Sequence, residues 1–150
     1  MQNPLAEVYE HDFHRWLTAN VEIIRWGELS DIDAEHIAEE LEAMSKRERR
    51  ELVSRLTVLL AHLLKWEFQP THRSRSWRNT LTVQRGELAD LLEDSPSLSA
   101  ELEQYIDRAY ARARLLAEDE TGLDTDAFPT ECPYALEAIL DPAFLPESNG

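Results

Sequence analysis

Residues 28–69, between Gly27 and Pro70, contain neither glycine nor proline. Nothing in this stretch breaks or kinks a helix. Its apolar stripe begins with Ile37, Leu41 and Met44 and lapses across SKRERRE. It resumes at Leu52, Leu56, Leu59, Leu60 and Leu63, at the three- and four-residue steps of one helix face. We read one helix over 32–67, capped by Ser30 or Asp31, with Asp33 and Glu35 in its first turn, where carboxylates suit the helix dipole. Such a helix is about 50 Å long at 1.5 Å per residue. A compact chain of this size has a radius of gyration of only about 15 Å. The helix therefore either bends near Ser45 or projects and needs a partner; the continuous reading is preferred.

The rest of the chain is helical in the same sense. Ala, Leu, Glu and Arg are abundant and glycine numbers four, a mixture that favours helix over strand. Leu5, Val8, Tyr9, Phe13, Trp16, Leu17, Ile23 and Ile24 predict a first helix from Leu5 to Trp26, with Pro4 in its first turn and Gly27 at its stop. Pro70 ends the long second helix, and a loop covers 71–74. A third helix follows over 75–93, with Trp77, Leu81, Leu88, Leu91 and Leu92 inward. Ser95-Pro96 starts a fourth, which ends before Gly122. Cys132-Pro133 opens a short last helix reaching Leu140, and Asp141-Pro142 stops it. The expected fold is all-α: a four- to five-helix bundle with one long second helix. It forms a single domain over 1–145, with a disordered tail at 146–150.

Charge is segregated along this chain. Residues 1–45 carry two basic and eleven acidic side chains, net −9; residues 46–78 carry nine and three, net +6; residues 79–150 carry four and sixteen, net −12. The overall charge of −15 repels phosphate at long range and disfavours duplex DNA. The acidic N-terminus has no apolar core of a secretory signal, and the longest apolar run, 56–64, is too short to span a bilayer. One cysteine, Cys132, excludes an internal disulfide framework. The expected location is cytoplasmic.

Four sets of residues could carry chemistry. In the basic block, Arg73, Arg75 and Arg78 lie at or just before a helix start, where cations oppose the dipole, with Lys65 and Trp77 as further candidates beside them. A phosphate or carboxylate held by the arginines and the free N–H groups would explain them. Pairing with acids of neighbouring helices, with Trp66 and Trp77 as core, would explain them equally and is preferred. Arg55 and His62 share a helix face, and an arginine, six residues and a histidine resembles the motif of the HEPN ribonuclease superfamily. That resemblance would make both residues catalytic on an RNA backbone; a histidine among leucines reads more simply as a hydrogen-bonded core residue. Glu7, Glu10, His11 and His14, with His36, Glu39 and Glu40, offer metal-ligating types, but no Glu-x-x-His of the di-metal bundles occurs. Asp33-x-x-His36 is the nearest approach. Solvated charged faces are expected there, with no metal and no cofactor. Cys132 reads as structural rather than as an activated thiol.

The motif series Tyr9-x-x-Asp12-Phe13-x-x-Trp16, Glu39-Glu40, HLLKW at 62–66, SRSW at 74–77, Gln84-Arg85, SPSL at 95–98, Tyr110, Phe128-Pro129 and Cys132-Pro133-Tyr134 resembles the bacterial family catalogued as domain of unknown function 29. The resemblance spans nearly the whole chain, in order. It implies an all-helical fold and no particular activity. It also implies that Asp12, Glu39, Glu40, His62, Lys65, Trp77 and Arg85 are motif positions, which could meet in one polar cluster that serves fold specificity as readily as chemistry. Three functions follow, in order of preference. The first is a non-enzymatic interaction module with a homo-oligomer or protein partner. The second is an RNA-binding or HEPN-like ribonuclease protein. The third is a metal-dependent helical enzyme. No membrane partner is expected.

Overall fold

The computed structural model describes residues 3–148. Among them are six α-helices and three short 3-10 turns, with no strand. The helices are α1 (Pro4–His11), α2 (Phe13–Arg25), α3 (Ala34–Phe68), α4 (Arg75–Asp94), α5 (Ser97–Thr121) and α6 (Leu136–Leu140). The long helix is continuous through Ser45, and α3 runs unbroken to Phe68. The all-helical expectation holds. No helix of the described residues is long and apolar enough to cross a membrane.

The chain divides into two compact units, Met1–Arg47 and Glu48–Gly150. The sequence, read as one bundle, shows no such boundary, because α3 passes through the division without a Gly or Pro. All of the residues from Met44 to Glu51 are exposed, and this is the segment where the apolar stripe lapses.

In the N-terminal unit the expected single first helix is two. Asp12 has φ −149° and ψ 84°, ends α1, and caps α2 by accepting the Arg15 N–H at 3.0 Å on Oδ1. An aspartate that caps competes with the helix it interrupts, and apolar periodicity alone does not register this. Gly27, at φ 78°, follows α2 as read. The start of α3 differs too. Ser30 and Asp31 lie in a 3-10 turn, Leu29–Asp31, and the capping residue is Asp33, whose carbonyl accepts the Ile37 N–H at 2.9 Å.

The C-terminal unit holds an apolar core. Leu52, Leu56, Leu59, Leu60, Leu63 and Leu64 of α3 meet Leu81, Leu88 and Leu91 of α4 and Leu98, Leu102, Ala109, Ala113 and Ala117 of α5. Each leucine removed from water contributes about 1.5–3 kcal/mol. Ser74 caps α4 through the Trp77 N–H at 3.2 Å. Gly122 ends α5 in the left-handed conformation, at φ 76°. Beyond it, the chain is tied back by polar contacts to its backbone. Tyr110 donates to the Pro129 carbonyl at 2.6 Å, and Arg114 donates to the Thr125 carbonyl at 3.0 Å. The last helix starts at Leu136 rather than at Cys132-Pro133. Tyr134 is instead buried, with its hydroxyl donating to Glu67 at 2.9 Å. Of the expected disordered tail, Pro146 is buried and Glu147 and Ser148 are exposed; 149–150 lie outside the described residues.

Candidate functional site

The basic segment resolves into two arrangements. Lys65 is 6% exposed. Its Nζ sits 2.6 Å from Glu120 Oε2 and 4.7 Å from the centre of the Trp77 ring. This charge is neutralised inside the unit, which is what a buried ammonium requires. The arginines behave otherwise. Arg73 and Arg78 both lie over the Trp66 ring, at 4.9 and 5.5 Å from its centre. Arg73 Nε donates to the Trp66 carbonyl at 2.8 Å. Among the described residues, Arg73, Arg75 and Arg78 form no ion pair. With Trp66, Ser74 and Asn79 they line a cleft of about 520 Å³. Of the anion-binding candidates, Arg73, Arg75 and Arg78 are therefore brought together, while Lys65 and Trp77 face each other. The pairing with acids of neighbouring helices expected of the arginines is not made among the described residues, whereas Lys65 has Glu120.

Arg55 and His62 stand apart chemically. Arg55 engages Gln84 at 3.4 Å, Glu51 at 3.7 Å and Glu87 at 3.9 Å. His62 is buried, and its Nδ1 donates to the Val58 carbonyl at 2.9 Å. Burial and the nearby Lys65 charge hold the imidazole below its usual pKa, against the opposing pull of that carbonyl. It is neutral at pH 7. No hydrogen bond joins it to Arg55.

The six polar motif positions do not bond to one another; within the set only Lys65 and Trp77 meet, the ammonium over the ring. Asp12 caps α2, Glu40 accepts the Tyr9 hydroxyl at 2.6 Å, and Glu39 is exposed. Arg85, buried, donates to the carbonyls of Ile139 at 2.9 Å and Ala138 at 3.3 Å. It secures the end of α6. Every side-chain hydrogen bond made by these six goes to a partner outside the set.

The N-terminal unit contains a polar network that sequence reasoning missed. Asp33 is 3% exposed. Its Oδ2 accepts Trp16 Nε1 at 3.0 Å and lies 2.7 Å from His36 Nδ1. Its backbone N–H donates to Asn20 Oδ1 at 3.0 Å, and Asn20 Nδ2 donates to the Trp16 carbonyl at 2.8 Å. Tyr9 stacks on the His36 ring at 4.1 Å. Burial pushes the Asp33 carboxyl up, but the bonds from Trp16 and His36 prevail and leave it below its usual value. The hydrogen bond to Asp33 raises His36, against some desolvation. The bond to Glu40 pushes the Tyr9 hydroxyl up to about 12. The spacing Asp33-x-x-His36, which in the sequence reads as the nearest approach to a metal pair, sets this carboxylate–imidazole bond instead. Among the described residues no group of three or more His, Cys, Asp or Glu side chains is placed to hold a metal ion.

The same unit exposes apolar surface. Phe13, Leu17, Val21 and Ile24 follow at steps of four, four and three along α2, each 40–46% exposed. Trp26 is 81% exposed. Leu17, Val21 and Trp26, with His14, Glu22 and Arg25, line an open cleft of about 770 Å³. Of the first-helix stripe read from the sequence, Phe13, Leu17 and Ile24 are exposed, Leu5, Val8, Tyr9 and Ile23 are half-buried, and Trp16 is buried together with Asn20. Cys132 is half-buried, its Sγ 3.6 Å from the Tyr134 carbonyl, and burial pushes its thiol up.

These features define an all-helical protein with a polar-locked N-terminal unit, a leucine core and two open clefts of opposite character. Residues 8–145 match the family described as Domain of unknown function DUF29, and the chain belongs to that family. No curated protein and no solved structure matches it.

Proposed function

We propose that this protein is a non-enzymatic interaction module, whose N-terminal unit takes an amphipathic helix of a protein partner with basic flanks. The apolar ladder of α2 carries this reading. Scattered exposed apolar side chains are ordinary, whereas a contiguous stripe ending in an open tryptophan is the signature of a docking face. Steps of four, four and three match the groove-and-ridge spacing of a helix laid alongside. Residues 1–45 carry net −9, so two such faces repel each other and a basic partner is favoured. The neutral, bonded His62 and the protonated Cys132 fit a module without a catalytic set.

The test uses two designed amphipathic peptides, one of Leu and Lys and one of Leu and Glu, followed by Trp26 fluorescence. The Leu/Lys peptide is expected to bind with a blue shift, and the Leu/Glu peptide is not. Leu17→Asp is the decisive variant. It adds negative charge, so mere electrostatic attraction would tighten binding, whereas docking on the apolar ladder predicts a loss of about tenfold or more. Unchanged or tighter binding by Leu17→Asp sinks the proposal. Light scattering of the wild type and the same variant checks the alternative occupant; a dimer that Leu17→Asp dissociates would assign the face to a second copy and overturn the foreign partner.

A further inference from the structure

The chain has thirty acidic side chains, yet none is placed against Arg73, Arg75 or Arg78 among the described residues. The two guanidiniums over Trp66 lie no more than about 10 Å apart, within about one Debye length at 0.1 M salt. The third arginine lines the same cleft. Arg75 and Arg78 donate no side-chain hydrogen bond to a described residue, and Arg73 Nη2 is buried without a hydrogen-bond partner. All three also stand at the start of α4, where the dipole opposes cations. Like charges gathered on one indole, in an unfavourable field and without a counter-charge among the described residues, are an arrangement that an anion would complete. The contrast with Lys65 is internal to the same segment: there the fold does supply a carboxylate, at 2.6 Å.

We propose that the cleft of Trp66, Arg73, Ser74, Arg75, Arg78 and Asn79 binds a small, multiply charged phosphate, namely a diphosphate group, free or as the end of a nucleotide. Three guanidiniums match an anion of two or three charges, and their planar forks suit phosphate oxygens. Ser74 Oγ already accepts the Trp77 N–H, which leaves its hydroxyl proton to donate. The cleft of about 520 Å³ has room for such a group. Stacking of a base has no platform. Trp66 is 8% exposed beneath two guanidiniums, and the Trp77 ring has Lys65 over it. A long single-stranded RNA would also meet the repulsion of a chain at net −15.

The experiment is calorimetric titration of the full chain at low ionic strength with inorganic diphosphate, with a nucleoside diphosphate and with a single-stranded RNA oligonucleotide. Diphosphate is expected to bind and to raise the melting temperature by mass action. Arg78→Gln, at an exposed position, is expected to weaken it about tenfold while melting like wild type. Arg112→Gln, on exposed α5 surface, is expected to leave affinity unchanged. Equal affinity for diphosphate and nucleotide supports the free anion as source; tighter nucleotide binding supports the nucleotide. No heat from either at millimolar concentration overturns the proposal, as does equal weakening by Arg112→Gln. RNA binding without diphosphate binding overturns it in favour of a polymer.

Discussion

The two units solve the same folding problem differently. The C-terminal unit buries leucines from three helices around one another. The N-terminal unit buries little apolar surface, chiefly Ala6 and Trp16, and closes instead on Asp33, Asn20 and His36. Apolar burial is non-directional and insensitive to pH. A hydrogen-bonded network fixes geometry, but it answers to protonation and fails when one member is lost. The polar solution also leaves apolar side chains outside, and those are the ladder of α2.

The largest effect tests the leucine core. Leu60, fully buried, changed to Ala is expected to cost about 2–5 kcal/mol through lost transfer energy and the cavity left behind. Denaturant unfolding followed by far-UV dichroism measures it; a cost below about 1 kcal/mol would mean the core collapses freely. Next comes Asp33→Ala, which strips the acceptor from Trp16 and His36 and is expected to cost about 1–3 kcal/mol. Hydrogen exchange should show that loss in residues 16–40 and leave 52–64 protected. Uniform loss across both would erase the contrast between the units.

The smallest effect sharpens the comparison most, because its sign differs between the units. His36 is raised above its usual 6.5 by Asp33. Its stabilisation is complete below 6.5 and is lost as pH rises through the folded value. His62 is held below 6.5, first by burial. Its contribution is present above 6.5 and is lost as pH falls through the folded value. Asp33, below its usual value, adds a loss only in acid. Raising pH above 6.5, through the folded value of His36, should therefore weaken protection near His36 and not near His62, and lowering it below 6.5 should weaken protection near His62. Site-resolved exchange corrected for intrinsic rates measures both; parallel behaviour would contradict the assigned environments.

Much of this fold was legible in the residues. The long helix followed from a stretch free of Gly and Pro, the stops from Gly27, Pro70 and Gly122, and the leucine core from three- and four-residue periodicity. The break at Asp12 was not legible, because an aspartate within an apolar pattern reads as a solvated position until its carboxylate is seen on the Arg15 N–H. The α2 part of the first stripe divides for a related reason, with Trp16 buried and Phe13, Leu17 and Ile24 exposed. Periodicity says which side chains share a face, but not whether that face meets a core or water. At the candidate site, sequence brought the arginines and tryptophans to one segment. It could not say which cation would find a carboxylate.

By itself, then, the sequence determined what depends on near neighbours along the chain: helix type, most helix ends, the charge blocks and the family. Only the tertiary structure decided which groups separated by tens of residues would meet. It placed Glu120 on Lys65, Asp33 on Trp16, and, among the described residues, no acid on Arg73, Arg75 or Arg78. Local propensity is set within a few residues, whereas charge pairing and burial are set by packing between helices. That is why one basic segment divides into a neutralised lysine and an open arginine cleft.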